Sequence, residues 1–145
     1  MSWVFDAQTK IYSRVSAILR SQFDKEYTDD SGKTTFNVPQ DNAPPTNPKF
    51  PTVYITFIGA SERGETLDGT SINAVNMTVE AHVKTTKAQG VRDNNKIAWA
   101  VTDAFKTLGF TATMPNIPTS NIDGVYESVS RYSRVIGQGD VLYTA

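Results

Sequence analysis

Val75-Asn76-Met77-Thr78-Val79-Glu80-Ala81-His82-Val83-Lys84 is the stretch whose reading decides the fold. Successive side chains of a β-strand point to opposite faces. Val75, Met77, Val79, Ala81 and Val83 therefore share one face, and Asn76, Thr78, Glu80, His82 and Lys84 share the other. Unbroken alternation of this kind predicts a strand with one face on a core. The other face meets solvent or the lining of an assembly.

On the N-terminal side, Val53 to Ile58 reads as a second, buried strand. The glycine-rich stretch from Gly59 to Gly69 between the two is expected to be a mobile hairpin tip. On the C-terminal side, Ile97, Ala98, Val101, Ala104, Phe105 and Leu108 make one helical face, and Gly109 fits a left-handed cap. An earlier helix is marked by Val4, Ala7, Ile11, Val15, Ile18 and Leu19, with Lys10, Arg14 and Arg20 off that stripe. Between this helix and the first strand, Asp29-Asp30-Ser31-Gly32 is a turn. Pro39, Pro44, Pro45, Pro48 and Pro51 then predict irregular chain. The segment at about 24–52 is a candidate arm for gripping a neighbour.

Residues 110–124, with Pro115 and Pro118, read as a connection. A last strand region runs from Val125 to about Ile136, polar on both faces. Gly137 to Asp140 break it, and Val141-Leu142-Tyr143 resume it. The order is helix, loop, strand, strand, helix, strand, strand. It predicts a single α+β domain over 1–145: a mixed or antiparallel sheet of about four or five strands, with two helices packed on one face.

Chemistry-bearing patterns are few. Gly59-Ala60-Ser61-Glu62-Arg63-Gly64-Glu65-Thr66 has the spacing of a phosphate-binding loop, but Glu65 stands where lysine is needed. A carboxylate there repels the phosphates, and no helix follows to offer its N-terminus. His82 is the sole histidine, with no nucleophile or metal motif around it, and reads as a satisfied surface or interface residue. Asp24, Glu26, Asp29 and Asp30 lack the calcium-loop spacing and read as a solvated turn. Asn76-Met77-Thr78 is a glycosylation sequon only in form. Arg131 and Arg134 flank Tyr132, an interleaving that nucleic-acid binders use, although strand arginines more often pair with a neighbour's carboxylates. The 145 residues contain no cysteine, which excludes disulfides, thiolate metal sites and a cysteine nucleophile. Net charge is −1, so no global basic field points to nucleic acid. No run is long and apolar enough for a membrane span, and the first residues do not read as a secretory signal. The expectation is a non-catalytic protein, without cofactor or metal, made and kept in a cytoplasm.

With these elements placed, the chain resembles the tail terminator (tail completion, head-tail joining) proteins of long-tailed bacteriophages. The residues that carry the resemblance are Val15-Ser16-Ala17-Ile18-Leu19 and the strand start Phe50-Pro51-Thr52-Val53-Tyr54-Ile55. The others are Val83-Lys84 followed by the helix Ile97-Ala98-Trp99-Ala100-Val101, and the C-terminal Arg131-Tyr132-Ser133-Arg134-Val135-Ile136-Gly137. The likeness spans nearly the whole chain. It implies a virion subunit of a hexameric ring that caps the tail tube, ends its growth, meets the head connector or stopper protein, and lets DNA pass unread. A tail tube or neck adaptor (head-closure) protein is the alternative, and a small-ligand binding module a further one. For a ring, the sheet is expected to form the inner wall. Candidate interface or lumen residues are then Arg63 and Glu65 at the hairpin tip, and Glu127, Arg131, Tyr132 and Arg134 on the last strand.

Overall fold

Two helices and four strands follow one another as α1 (Ser2–Phe23), β1 (Thr52–Glu65), β2 (Ile72–Thr86), α2 (Gly90–Thr107), β3 (Thr111–Ile122) and β4 (Val125–Gly137). The computed structural model describes residues 2–39, 49–65, 72–122 and 124–140. At 2, 62–65, 72–73, 115–116 and 119–122 it describes the backbone alone. The strands form one antiparallel sheet in the order β1-β2-β4-β3. Both helices pack on one face, so the architecture is the α+β arrangement expected from the sequence.

The alternating segment is the inner strand β2, hydrogen-bonded on both sides. Val83 sits opposite Val53 on β1 and Ser128 on β4, while Val79 sits opposite Phe57 and Tyr132. Its apolar face is closed to water, with Val75, Met77, Val79 and Ala81 at 0% exposure. The helical stripes cover that face. Ala7, Ile11, Val15 and Leu19 of α1 and Ile97, Ala98, Val101, Ala104 and Phe105 of α2 are all buried in one cluster with the strand residues. Glu26, just past the end of α1, reaches Lys96 near the start of α2, so the two helices run in opposite directions. The turn after α2 follows its sequence signal. Gly109 has φ 82°, and the Phe110 N–H donates to the Phe105 carbonyl at 3.1 Å.

Part of the expected arm belongs to the core. Thr28 and Thr34 bridge across the Asp29 turn, and Tyr27, Phe36 and Val38 are buried beside Phe23. Residues 37–39 then run parallel along the outer edge of β1: the Val53 N–H donates to the Asn37 carbonyl and the Ile55 N–H to that of Pro39. The Tyr12 hydroxyl donates to the Val38 carbonyl, which ties this fringe to α1. Residues 40–48, the middle of the expected arm, lie outside the described residues.

Three expectations are corrected. Gly59 to Glu65 are strand rather than hairpin tip. A bulge at Ile58 shifts the register, after which Gly59 pairs with Thr78 and the ladder continues to Glu65. The partner strand supplies hydrogen bonds that outweigh glycine's weak strand preference; residues 66–71 lie outside the description. Residues 111–122 are β3 rather than connection. An outermost strand needs hydrogen bonds on one side only, so Pro115 and Pro118 are tolerated there, with three register shifts along the pairing to β4. Lastly, β4 is not wet on both faces. Ser128, Ser130 and Tyr132 are buried beneath α2. The proposed resumption at Val141–Tyr143 falls outside the described residues.

The α2–β4 contact is a polar seam. The Asn94 side-chain amide donates to the Val83 carbonyl at 3.0 Å and to the Tyr126 carbonyl at 3.2 Å, and its oxygen accepts from Ser128 at 2.7 Å. About two turns further along α2, the Tyr132 hydroxyl meets Thr102 at 2.7 Å, and it meets Ser130 at 2.8 Å. Buried polar atoms that lose their partners cost far more than a made bond contributes. Asn94→Ala is therefore expected to cost about 2 kcal/mol in urea denaturation. A loss below about 0.5 kcal/mol would show that the seam is not holding α2 down.

Candidate subunit interface

The face of the sheet turned away from the helices is uncovered by any described element. Alternation sets its composition: Tyr54 and Thr56 from β1, Asn76, Thr78, Glu80, His82 and Lys84 from β2, Glu127, Val129, Arg131, Ser133 and Val135 from β4, and Ile117 of β3 opposite Val129. Ile117 and Val135 are its exposed large apolar members. Register then brings opposite charges face to face. Glu80 is directly opposite Arg131, and Lys84 directly opposite Glu127.

The side chains complete what the register starts. Arg131 Nε donates to Glu80 Oε2 at 2.7 Å, and Lys84 Nζ lies 3.3 Å from Glu127 Oε2. His82 stands between the two pairs. Its Nε2 contacts Glu80, and its Nδ1 is 3.6 Å from Glu127. Lys84 also lies over the Tyr54 ring, 5.0 Å from the centroid. Long side chains such as Lys84 lie over the apolar ones, and Tyr54 and Val129 are only 4% and 7% exposed although no described element covers them. Partial burial pushes the Glu80 carboxyl up. The hydrogen bonds and charges of His82 and Arg131 outweigh that and hold it below its ordinary value of 4.5.

The sequence candidates divide. Glu127 and Arg131 belong to this face. Tyr132 does not: it is fully buried on the helix side, stacked on Phe105 with centroids 4.5 Å apart. Burial, ahead of the opposing hydrogen bonds from Ser130 and Thr102, raises its phenol above the ordinary range. An aromatic residue two positions from a buried serine on the same strand must share that serine's face. Arg134 is corrected as well. It points to the helix side, where Nη1 donates to the Leu108 carbonyl at 2.7 Å and Nη2 to the Asp140 carboxylate at 2.9 and 3.1 Å. It closes the end of α2 instead of facing a neighbour, and a Cβ on Gly109 would come within 3.2 Å of its Nε. Arg131 and Arg134 thus act on opposite faces, and both pair within the chain. Arg63 and Glu65 lie in β1 opposite Ala74 and Ile72, and their side chains fall outside the description. Sequence reasoning placed Glu80, His82 and Lys84 on one face of the strand, but it did not name Glu80 and Lys84 as candidate interface residues and treated His82 in isolation. The signal was present as Glu-x-His-x-Lys on one strand and Glu-x-Val-x-Arg on the other, which neutralise one another when aligned antiparallel.

Other surfaces offer less. A cleft of about 130 Å³ lies between the start of α1 and the end of β4, lined by Trp3, Asp6, Lys10 and Ile136 among others. Among the described residues no three histidine or acidic side chains are grouped to hold a metal ion, and no helix is long and apolar enough to cross a membrane. The chain matches no protein-family model, and no curated protein matches its sequence.

The Glu80 environment gives a pH prediction. A carboxyl whose folded value lies below its unfolded one adds stability above the unfolded value and loses it as pH falls through the folded value. The contribution is therefore complete above 4.5 and disappears at more acid pH. Thermal melts of wild type and Glu80→Gln should differ at pH 7 and converge as pH is lowered progressively below 4.5. A constant gap between the two melting curves over that range would contradict this.

Proposed function

We propose that this chain is a structural virion subunit that closes with copies of itself into a ring at the head-proximal end of a phage tail tube. Such a ring ends tube growth, meets the head connector and lets DNA pass. The reading follows the resemblance to tail terminator proteins. The observation that best supports it is the uncovered sheet face, which is broad and polar with its described charges already paired. A face of this kind stays hydrated without exposing a large apolar patch, which suits the wall of a wet assembly.

The cleft beside α1 is smaller than the roughly 300–1,000 Å³ that small-ligand pockets usually span, so it is not itself a candidate ligand site. The tube alternative differs in how contacts close. A contact between two different patches yields a ring if the rotation closes and an open polymer if it does not. Native mass measurement and negative-stain microscopy of the purified protein, alone and mixed with tail tubes, separate these outcomes. Closed rings of about six copies that bind tube ends and stop elongation are expected. Long polymers would favour the tube alternative. A strict monomer that never joins a tube would remove the ring reading.

A further inference from the structure

The two sides of the domain treat positive charge differently. On the helical layer Lys10, Arg20, Arg92 and Lys106 are exposed, and none has a carboxylate partner among the described residues. On the uncovered sheet face both described cations are matched. Arg131 is held by Glu80, and Lys84 by Glu127. Each match is a directly opposed cross-strand pair, with His82 linking the two. The two carboxylates are well covered, with side chains 16% and 21% exposed. They stay beside their cations without reaching into solvent.

A polyanion is retained by cations that can displace its counterions, and every added phosphate contact steepens the salt dependence of binding. A cation whose charge is offset by an adjacent carboxylate attracts a phosphate less, even where, as in Arg131, only Nε takes part in the pair. Resting on the ring reading, we infer that the uncovered sheet face lines the lumen, and that Glu80 and Glu127 keep Arg131 and Lys84 from holding double-stranded DNA. Their role is to suppress binding. The face stays polar and hydrated, yet presents a passing duplex with no net positive charge to grip. The unmatched cations of the helical layer then lie on the outside of the ring, away from the path of the duplex.

Topology supplies the test, because a duplex can enter a closed ring only through a free end. Rings of wild type, the double variant Glu80→Gln/Glu127→Gln, and Thr9→Lys are incubated with linear duplex and with covalently closed circular DNA over a salt series. The double variant should gain affinity for linear DNA, with its log–log salt slope steeper than that of wild type by about 1.8 for each subunit that touches the duplex. It should gain nothing on circles. Thr9→Lys, which adds a cation to the exposed face of α1, should gain equally on both. Should the double variant fail to fold, Val135→Lys replaces it. This residue is 51% exposed, and its position in the strand places it on the uncovered face. Its expected slope change on linear DNA is about 0.9 for each subunit that touches the duplex. A ring whose sheet-face variants gain nothing on linear DNA, or gain equally on circles, overturns the inference and leaves the ring standing. A monomeric wild type overturns both.

Discussion

Everything in this fold depends on β2 being paired on both sides at a fixed register. Because its side chains alternate, a slip of one residue against either neighbour would drive Glu80, His82 and Lys84 under the helices and expel Val79, Ala81 and Val83. Burying those charges without partners is prohibitive, so the apolar row sets the register almost alone. The rest follows from it. β1 and β4 are aligned by their pairing to β2, α2 is seated on β2 and β4, and α1 fills the remaining space beside α2.

β4 shows how one strand can serve two environments. Its even-numbered residues Ser128, Ser130 and Tyr132 meet α2 through directed hydrogen bonds, and its odd-numbered Glu127 and Arg131 complete the ion pairs on the other side. Neither face is strongly apolar, yet neither leaves its polar groups unmatched. Small serines let α2 approach the sheet closely, while Phe105 stacks on Tyr132 and supplies the apolar contact they lack. Arg134 belongs to the same scheme. It ties the end of α2 to Asp140, so strand, helix end and final turn are fastened at one guanidinium.

Much of this was legible in the sequence. Both helices, the Gly109 cap, the turn at Asp29 and the central strand were marked by periodicity or turn chemistry, which are local properties. What escaped was set by partners distant in sequence. β3 was hidden because prolines argue against a strand unless the strand is outermost, and position within a sheet is not a local property. Gly59 to Glu65 looked like a loop because glycine hides the strand that β2 imposes. Tyr132 looked like an interface residue because serines and arginines surround it in the sequence; burial under α2 depends on which face Asn94 and Phe105 present. The charge network failed for the same reason. Its two halves are far apart in the chain, and only the antiparallel register brings Glu80 to Arg131 and Lys84 to Glu127.

The prolines of β3 have a consequence for behaviour at high concentration. Open sheet edges are templates on which further chains stack, and the usual result is insoluble fibre. Pro115 and Pro118 remove two backbone donors from the outermost strand, and three register shifts break its regular spacing. A newly made chain crowded among its copies is thereby steered away from amyloid-like growth along that side. The irregularity that made residues 111–122 hard to recognise as a strand is also what makes its edge a poor template.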